Sequence, residues 1–406
     1  METTPLDALA PWLPASLRAA GARTWRDVAH VVRTMRGAKG LPYELRSGRQ
    51  GAAGAPAPKG IVTRSVRVTA AELVTRDAIA ITFETKDGAP LGAEAGQFMT
   101  VHWPSEGRTE KRAYSLACAV DGGSRGRLVV KAVEGGLVSN ALVARAGKLA
   151  SLELTGPSGS FTLDVGARDH VLIAGGSGIT PVASMLLTHV PARSGDRFTL
   201  VYGSRTPADA ILREELLALA AAHPERLRIV WAFEREAEAF SGGKAHAGRL
   251  DAAALAKLVK PSAKERAESV YYVCGPAPMM SAAEALLAEA GVPGARVRTE
   301  RFSSPGRDKS GAAAGKKTVA LRVRMAGKSL DVLGSTDQTL LDAGLAAGFP
   351  MPYSCAMGGC GACKVRVIAG ETVMEEPNCL GPAEQAEGYI LACCTRPKGD
   401  VSVEVP

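Results

Sequence analysis

Three hydrophobic patterns succeed one another along the chain of 406 residues. From 62 to 166, short β-branched or alternating segments are separated by turns such as Asp121-Gly122-Gly123-Ser124, which predicts a small antiparallel β-barrel. From 167 to 303, apolar strand-like segments alternate with helical ones, which predicts a doubly wound α/β domain with a parallel sheet. From 318 to 406, a hairpin, a helix and a strand surround a cysteine-rich loop. The pattern therefore predicts a multidomain protein.

The predicted elements are as follows. Barrel strands are predicted at Ile61–Val68, Ala78–Glu84, Phe98–Trp103, Arg112–Ala117, Leu128–Val133 and Leu152–Leu154. The α/β domain has predicted strands at Val171–Ala174, Phe198–Tyr202, Leu227–Trp231 and Val270–Val273, and helices at Ile179–Thr188, Ala208–Ala222, Asp251–Val259 and Pro278–Ala290. The last domain has predicted strands at Val319–Met325, Ser329–Val332 and Lys364–Val367, and a helix at Gln338–Ala346. The polar, small-residue segment 304–317 is a predicted flexible linker.

Residues 1–61 form an N-terminal extension. Apolar side chains recur at helical spacing from Trp25 to Met35, with arginines on the other faces, which predicts a short basic amphipathic helix. This helix either caps the next domain or, through residues 15–36, contacts a partner enzyme or an anionic membrane surface. Residues 48–58 are rich in glycine, alanine and proline, which is typical of a linker.

Charge and composition narrow the class of protein. The net charge is +8, but residues 318–406 hold seven Lys/Arg against ten Asp/Glu and are acidic. A basic body beside an acidic module favours phosphate-bearing cofactors and docking between domains over nucleic-acid binding. No apolar run approaches the roughly 18 residues that span a bilayer, and the first residues lack a basic, apolar secretory signal. We therefore expect a cytoplasmic protein.

The cysteine-rich loop has a specific spacing. Cys355, Cys360 and Cys363 follow the pattern C-x4-C-x2-C, and Cys393 lies beyond a further 29 residues. This is the plant-type [2Fe–2S] spacing, and the glycines between the cysteines permit a tight wrap that brings backbone N–H groups to the sulfurs. A zinc site normally shows two separate C-x2-C pairs, and a disulfide is rare in the cytoplasm. Since Cys394 adjoins Cys393, spacing alone leaves the fourth ligand open.

Residues 318–406 resemble a plant-type ferredoxin. The resemblance implies an α+β β-grasp fold for this domain. In that family the last ligand follows a Leu-x pair, which here is Leu391-Ala392. It therefore implies that Cys393 is the fourth ligand and that Cys394 is a spare thiol.

Two glycine loops predict anion sites. Gly135 and Gly136 open a helix with an early Ser139, so free N–H groups face an anion such as a pyrophosphate. Gly175-Gly176-Ser177-Gly178-Ile179-Thr180-Pro181 follows the first strand of the α/β domain, where proline suits the first helical turn. This GxGxxP loop is predicted to hold a pyrophosphate at the N-terminus of the helix that follows.

These loops, together with Arg112-Ala113-Tyr114-Ser115 on a barrel strand, resemble the ferredoxin–NADP reductase family of flavoproteins. The resemblance implies that Arg112 pairs with a flavin phosphate, Tyr114 stacks on the flavin, and Ser115 hydrogen-bonds near its reactive N5. The flavin site that it implies also uses backbone and loop positions, which are Ala113, Val129, Val130, Lys131, Gly136, Leu137, Val138 and Ser139.

The same resemblance implies a nucleotide site at the strand ends. Ser204 and Arg205 are predicted to bind the adenosine 2′-phosphate of NADPH, with NADH as an alternative. Cys274 borders the nicotinamide and is a predicted catalytic residue with Tyr114 and Ser115. Glu300 and Phe302 are further candidates near the flavin. The remaining predicted nucleotide contacts are Gly176, Gly178, Thr180, Gly275, Pro276 and Met279.

The resemblance as a whole predicts an NAD(P)H-dependent reductase. FAD, rather than FMN, and one [2Fe–2S] cluster would pass electrons to a partner oxygenase, hydroxylase or desaturase, and the reductase itself is predicted to be a monomer. Two other classes remain open: a thiol-based redox sensor or disulfide reductase that uses Cys274 or the Cys393–Cys394 pair, and a scaffold that recruits a membrane enzyme through its N-terminal helix.

Overall fold

The computed structural model describes residues 63–105, 108–259, 261, 268–302, 317–325, 328–349, 351–353, 355–359, 361–375 and 378–406. The predicted N-terminal helix, nearly all of the 304–317 linker and Cys360 lie outside the described residues. All of the described residues belong to one compact unit.

The first domain is an antiparallel six-stranded barrel, as predicted. Its strands are β1 (Thr63–Thr75), β2 (Ala78–Thr85), β3 (Phe98–Ser105), β4 (Arg108–Ser115), β5 (Arg125–Lys131) and β6 (Ser151–Ser158), and helix α1 spans Leu137–Val143. The strand order is β4-β3-β6-β1-β2-β5, and a bridge between Leu116 and Leu128 draws its two ends together. Alternate side chains of β2, such as Ile79 and Ile81, are fully buried in its core.

The second domain has six parallel strands. They are β7 (Asp169–Gly175), β8 (Arg197–Ser204), β9 (Leu227–Phe233), β10 (Ala245–Ala247), β11 (Val270–Cys274) and β12 (Val297–Glu300). Its helices are α2 (Ile179–Ala192), α3 (Arg213–Ala222), α4 (Ala252–Leu258) and α5 (Ala277–Glu289). The order β10-β9-β8-β7-β11-β12 reverses direction at β7, and ligands bind at such a switch point in this class of sheet.

Two elements of this domain differ from the prediction. Helix α3 starts at Arg213 rather than Ala208, because Pro207–Asp209 form a 3-10 turn and Leu212 adopts a positive φ of 58°. The edge strand β10 was not predicted, since a segment of three residues leaves too short an apolar pattern.

The third domain has a five-stranded mixed sheet, a separate two-stranded sheet and two helices, which agrees with the β-grasp prediction. Its strands are β13 (Thr318–Met325), β14 (Lys328–Ser335), β15 (Lys364–Ala369), β16 (Thr372–Met374), β17 (Tyr389–Leu391), β18 (Thr395–Pro397) and β19 (Val401–Val405). The separate two-stranded sheet consists of β16 and β18. Helices α6 (Leu340–Ala346) and α7 (Pro382–Ala386) complete the domain. The Thr339 hydroxyl caps α6 by accepting the Asp342 N–H at 3.1 Å, so the helix starts two residues after the predicted position.

Gly96, just before β3, shows how closely the barrel packs on the loop that follows β6. Its φ is +99°, and a Cβ there would lie 2.0 Å from the carbonyl oxygen of Phe161. Gly88 also has a positive φ, +70°, but nothing lies within 4 Å of the position that a Cβ would take there.

We predict that Gly96→Ala destabilises the barrel by roughly 2 kcal/mol or more, since it combines backbone strain with a clash against backbone. The control Gly88→Ala keeps only the strain and should cost about 1 kcal/mol. Urea unfolding followed by far-UV circular dichroism measures both. Equal losses for the two variants would show that the contact with Phe161 is unimportant.

Candidate active site

The barrel and the α/β domain meet at Ser115, the last residue of β4. Ser115 is buried, and its hydroxyl donates a hydrogen bond to Glu300 Oε2 at 3.3 Å. Glu300 ends β12 and is the register partner of Cys274, which ends β11. The structure therefore brings Ser115, Cys274 and Glu300 to one place from two domains.

Electrostatics at this place favour uncharged side chains. Burial raises the pKa of Glu300 to about 8, although the hydrogen bond from Ser115 opposes the shift. Burial, and then the Glu300 carboxyl, raise the pKa of the Cys274 thiol well above its ordinary value. Burial also raises the pKa of Tyr114 to about 12. Near neutral pH this group of side chains holds its protons.

The predicted phosphate partner Arg112 is already paired. Its guanidinium donates to Glu110 Oε2 at 3.1 Å and to the carbonyl oxygen of Lys111 at 2.8 Å, and its side chain is 40% exposed. A flavin phosphate would have to share Arg112 with Glu110. Ala113 and Tyr114 follow on β4 and pair with Thr100 and Met99 of β3.

The backbone of Val129, Val130 and Lys131 lies on the last strand of the sheet. On one side these residues pair with β2. On the other side, within the described part of the barrel, the bridge from β5 to the end of β4 is between Leu128 and Leu116. The outer backbone edge of β5 therefore faces β4 and remains available to a planar ligand, which fits a flavin.

The loop before α1 has the compact geometry expected of a phosphate loop. The Val133 N–H donates to the Ser139 hydroxyl at 3.2 Å, and a Cβ on Gly136 would lie 2.6 Å from that oxygen. Ser139 and Val138 are buried, whereas Leu137 is exposed. These contacts hold the first turn of α1 beside the end of β5.

The GxGxxP loop fits a nucleotide pyrophosphate. A Cβ on Gly178 would lie 2.2 Å from the carbonyl oxygen of Cys274, so glycine is needed where this loop packs on the end of β11. Gly176 has φ +53°, and a Cβ there would meet nothing within 4 Å, which leaves space on the open side. The buried Thr180 hydroxyl donates to the Ser177 carbonyl at 3.0 Å and fixes the turn.

The loop after β11 completes this edge. Gly275 has φ +157°, and a Cβ there would lie 2.7 Å from the Cε of the buried Met279. Pro276 packs against Gly175, where a Cβ would lie 2.6 Å from the proline ring. The two predicted nucleotide loops are therefore in direct contact. Phe302, in contrast, is 38% exposed.

The end of β8 differs from a simple phosphate site. The Ser204 hydroxyl is buried without a hydrogen-bond partner, which fits a missing ligand. Arg205, however, contacts two carboxylates: Asp77 Oδ2 at 2.6 Å and Asp209 Oδ2 at 3.3 Å. Asp77 lies in the turn between β1 and β2, so the barrel supplies one of the groups that hold the predicted nucleotide residue.

The third site is the cysteine loop. Cys355, Cys363 and Cys393 are buried, and Cys360 lies outside the described residues. The Met357 N–H donates to Cys355 Sγ at 3.4 Å, and the Gly358 N–H donates to Cys393 Sγ at 3.2 Å. Backbone donors aimed at cysteine sulfurs fit thiolates that hold an iron–sulfur cluster.

The described residues alone do not complete this site. Without Cys360, no group of three or more His, Cys, Asp or Glu side chains within them is arranged to hold a metal ion. Seven of the eight cysteines lie within the described residues. Cys394 lies beside the loop as well: a Cβ on Gly358 would lie 3.3 Å from its sulfur, and its thiol donates to the Leu391 carbonyl at 3.7 Å.

The cysteine loop faces the junction between the other two domains. A cavity of about 90 Å³ is lined by Phe98 and the Gly159–Phe161 segment of the barrel, by Thr299–Arg301, and by Met357–Gly359 with Asn378 and Cys379. Glu300 and the cysteine loop thus share one small cavity. The sequence could not show this, because the residues that line it are separated by up to about 280 positions.

Comparisons with known proteins agree with this arrangement. Sequence profiles match in the expected order: the oxidoreductase FAD-binding domain over residues 65–163, the oxidoreductase NAD-binding domain over 172–285, and the 2Fe-2S iron-sulfur cluster binding domain over 323–398.

No helix in the described residues has the length and apolarity to cross a membrane.

Two curated relatives are matched over nearly their whole length. One is a component of 1,2-phenylacetyl-CoA epoxidase from Escherichia coli K12, which is 33% identical over 350 residues, 84% of this chain and 97% of that protein. The other is the ferredoxin reductase component of 3-ketosteroid-9-alpha-monooxygenase from Rhodococcus rhodochrous, which is 33% identical over 352 residues, 83% of this chain and 96% of that protein.

Solved structures share the fold. Phthalate dioxygenase reductase superposes with a TM-score of 0.57 at 23% identity, covering 85% of this chain and 98% of its own. An intact type IV self-sufficient cytochrome P450 monooxygenase superposes with a TM-score of 0.62 at 25% identity, covering 91% of this chain and 45% of its own.

The fold and its three sites define an oxidoreductase with FAD-binding, NAD-binding and 2Fe-2S domains. The chain belongs to the ferredoxin reductase family that serves as the reductase component of oxygenase systems.

We predict that Asp77→Asn raises kcat/KM for NADPH relative to NADH by about tenfold, the factor given by about 1.4 kcal/mol of removed repulsion between the carboxylate and a 2′-phosphate. Steady-state kinetics with both nucleotides and ferricyanide as acceptor measure the ratio. The control Asp169→Asn removes a carboxylate that pairs with Arg197 at the opposite ends of β7 and β8. An unchanged ratio in Asp77→Asn would mean that Arg205 does not contact the adenosine ribose end.

Proposed function

We propose that this chain takes electrons from NAD(P)H and delivers them singly to a partner oxygenase, hydroxylase or desaturase. The shared cavity carries the proposal, since Glu300 from the nucleotide domain, Phe98 from the barrel and Met357–Gly359 from the cysteine loop all line it. On this proposal, the hydride-accepting site lies next to the cluster loop. The relatives, named as parts of an epoxidase and of a monooxygenase, support an oxygenase as the acceptor.

When bound, the flavin and the [2Fe–2S] cluster supply the exchange between a two-electron hydride and single electrons. The chain's own residues place the groups and exclude water. We propose that Tyr114 lies against the flavin ring and that the outer edge of β5 binds it through the backbone of Val129–Lys131. FAD, rather than FMN, is proposed because the loop from Gly136 to Ser139 offers a place for a diphosphate.

Ser115, Glu300 and Cys274 are proposed to manage protons beside the nicotinamide. With its raised pKa, the Glu300 carboxyl holds a proton at neutral pH and keeps negative charge away from the reacting centre. The Ser115 hydroxyl donates to Glu300 Oε2 at 3.3 Å and orients this carboxyl. Cys274 stays a neutral thiol, which argues against a thiol-based sensor that uses it, because the thiolate is the reactive form.

Ser204 and Arg205 are proposed to contact the adenosine end of the nucleotide. The proposal of NADPH rests on the buried, unpartnered Ser204 hydroxyl and on the Arg205 guanidinium. The contacts of Arg205 with Asp77 and Asp209 weaken the preference, since carboxylates accept hydrogen bonds from a ribose hydroxyl and repel a phosphate.

We propose Cys355, Cys360, Cys363 and Cys393 as the cluster ligands. Cys393 is favoured over Cys394 because its sulfur accepts the N–H of Gly358 from within the loop, whereas the Cys394 thiol donates to a carbonyl. A cytoplasmic location, a monomeric state, the boundaries 62–166, 167–303 and 318–406, and a partner contact through residues 15–36 remain predictions.

Anaerobic titration with NADPH tests the function itself. We expect purified, reconstituted protein to bind flavin and iron, and to lose both the flavin and the cluster absorbance as NADPH is added. Loss of the flavin bands with no change in the cluster bands would contradict the proposal.

Single cysteine-to-serine substitutions test which residue is the fourth ligand. Cys393→Ser should retain well under half of the iron after anaerobic reconstitution, and Cys394→Ser should retain about two irons per chain. Colorimetric iron and acid-labile sulfide assays measure this. If Cys394→Ser loses the iron and Cys393→Ser keeps it, the assignment is reversed.

The proton held by Glu300 predicts a pH dependence. Because the folded-state pKa is raised from 4.5 to about 8, Glu300 is neutral below pH 8 and becomes charged above it. Its contribution to stability is full below pH 4.5 and is lost as the pH rises through 8. NAD(P)H-to-ferricyanide turnover should fall as Glu300 ionises, and Glu300→Gln should flatten this limb. If turnover of Glu300→Gln still falls near pH 8, a group other than Glu300 causes the fall.

A further inference from the structure

Lys111 links the barrel to the segment that leads into the cysteine loop. It lies on β4, and its Nζ donates a hydrogen bond to the carbonyl oxygen of Tyr353 at 3.1 Å. The same ammonium group lies 4.7 Å from the centroid of the Tyr353 ring. A charged donor to a carbonyl and a cation over an aromatic face are both stabilising, and here they act on one residue.

Tyr353 is two residues before Cys355, a proposed ligand. Lys111 therefore holds the backbone immediately before the cluster loop. Because Lys111 lies in a strand rather than in a loop, and pairs across the sheet with His102, its Cα position is fixed by the barrel. Lys111 thus fixes the start of the loop relative to the barrel.

A second barrel residue lies close to the loop. Phe98 lines the same cavity as Gly359, and a Cβ on Gly359 would lie 3.6 Å from its ring. Phe98 is buried and is the cross-strand partner of Ser115, the residue that binds Glu300. The loop is therefore seated over β3 and β4, with Lys111 towards one end and Ser115 towards the other.

We propose that Lys111 is a positioning residue that holds the cluster loop on the barrel during electron transfer from flavin to cluster. This inference rests on the proposed function and adds the residue that sets the geometry of its internal step. Lys111 acts through Tyr353 and is neither a proposed nucleotide contact nor a proposed cluster ligand. Loss of the contact leaves hydride acceptance intact and slows only the reduction of the cluster.

Four variants test the proposal in the reconstituted full-length protein. Lys111→Met keeps the aliphatic stem but removes the charge, and Lys111→Arg keeps both charge and donors. Tyr353→Leu removes the ring, and Lys148→Met is the control, since Lys148 is exposed in the turn that follows α1. Stopped-flow absorbance with excess NADPH separates the flavin phase from the cluster phase. Hydrogen exchange of the peptide that contains residues 351–359 reports docking without any turnover.

We expect Lys111→Met to slow the cluster phase by about tenfold, the factor of one hydrogen bond to a charged group, with an unchanged flavin phase and unchanged iron content. Exchange in the 351–359 peptide should rise. Lys111→Arg should restore the rate, Tyr353→Leu should slow it less, and Lys148→Met should behave as wild type.

Two outcomes would overturn the proposal. One is an unchanged cluster phase in Lys111→Met. The other is an equal loss in both phases together with a loss of flavin, which would make Lys111 a structural residue of the barrel. A wild-type protein whose cluster is not reduced by NADPH would instead refute the proposed function on which the inference rests.

Discussion

The hydrogen bond between Ser115 and Glu300 joins two domains at the point where a third domain approaches. Ser115 ends a barrel strand, whereas Glu300 ends the edge strand of the α/β sheet beside Cys274. The burial that comes with this junction keeps Glu300 protonated near neutral pH and keeps Cys274 a thiol. Glu300 is half-buried and lines the cavity, and a charge in such a place costs free energy unless it is paired.

The same junction explains why the cluster domain packs where it does. Phe98, the cross-strand neighbour of Ser115, lies under Gly359 of the cysteine loop, and Lys111 holds Tyr353. An acidic module and a basic body predict attraction of the two, but they do not predict an orientation. The orientation depends on the Phe98 ring and the Lys111 ammonium group, and net charge does not reveal these local interactions.

The sequence predicted the three folds because each has a strong local signal: alternation in the barrel, strand–helix repeats in the sheet, and cysteine spacing in the loop. It also identified the GxGxxP loop, whose Gly178 has no room for a Cβ against Cys274. It did not predict the ion pairs that Asp77 and Asp209 make with Arg205, since Asp77 is an ordinary turn residue until the fold brings it within 2.6 Å of the guanidinium. Nor did it reveal the role of Lys111, because a lysine on a strand carries no signal for a partner about 240 positions away.

The central claim is that flavin and cluster exchange electrons inside one chain, across the cavity that Glu300 and the cysteine loop share. The most direct test is the rate of cluster reduction after mixing with excess NADPH, measured over a hundredfold range of protein concentration. Transfer within the chain predicts a first-order rate that does not change with concentration. A rate that rises in proportion to protein concentration would show transfer between molecules and would contradict the claim.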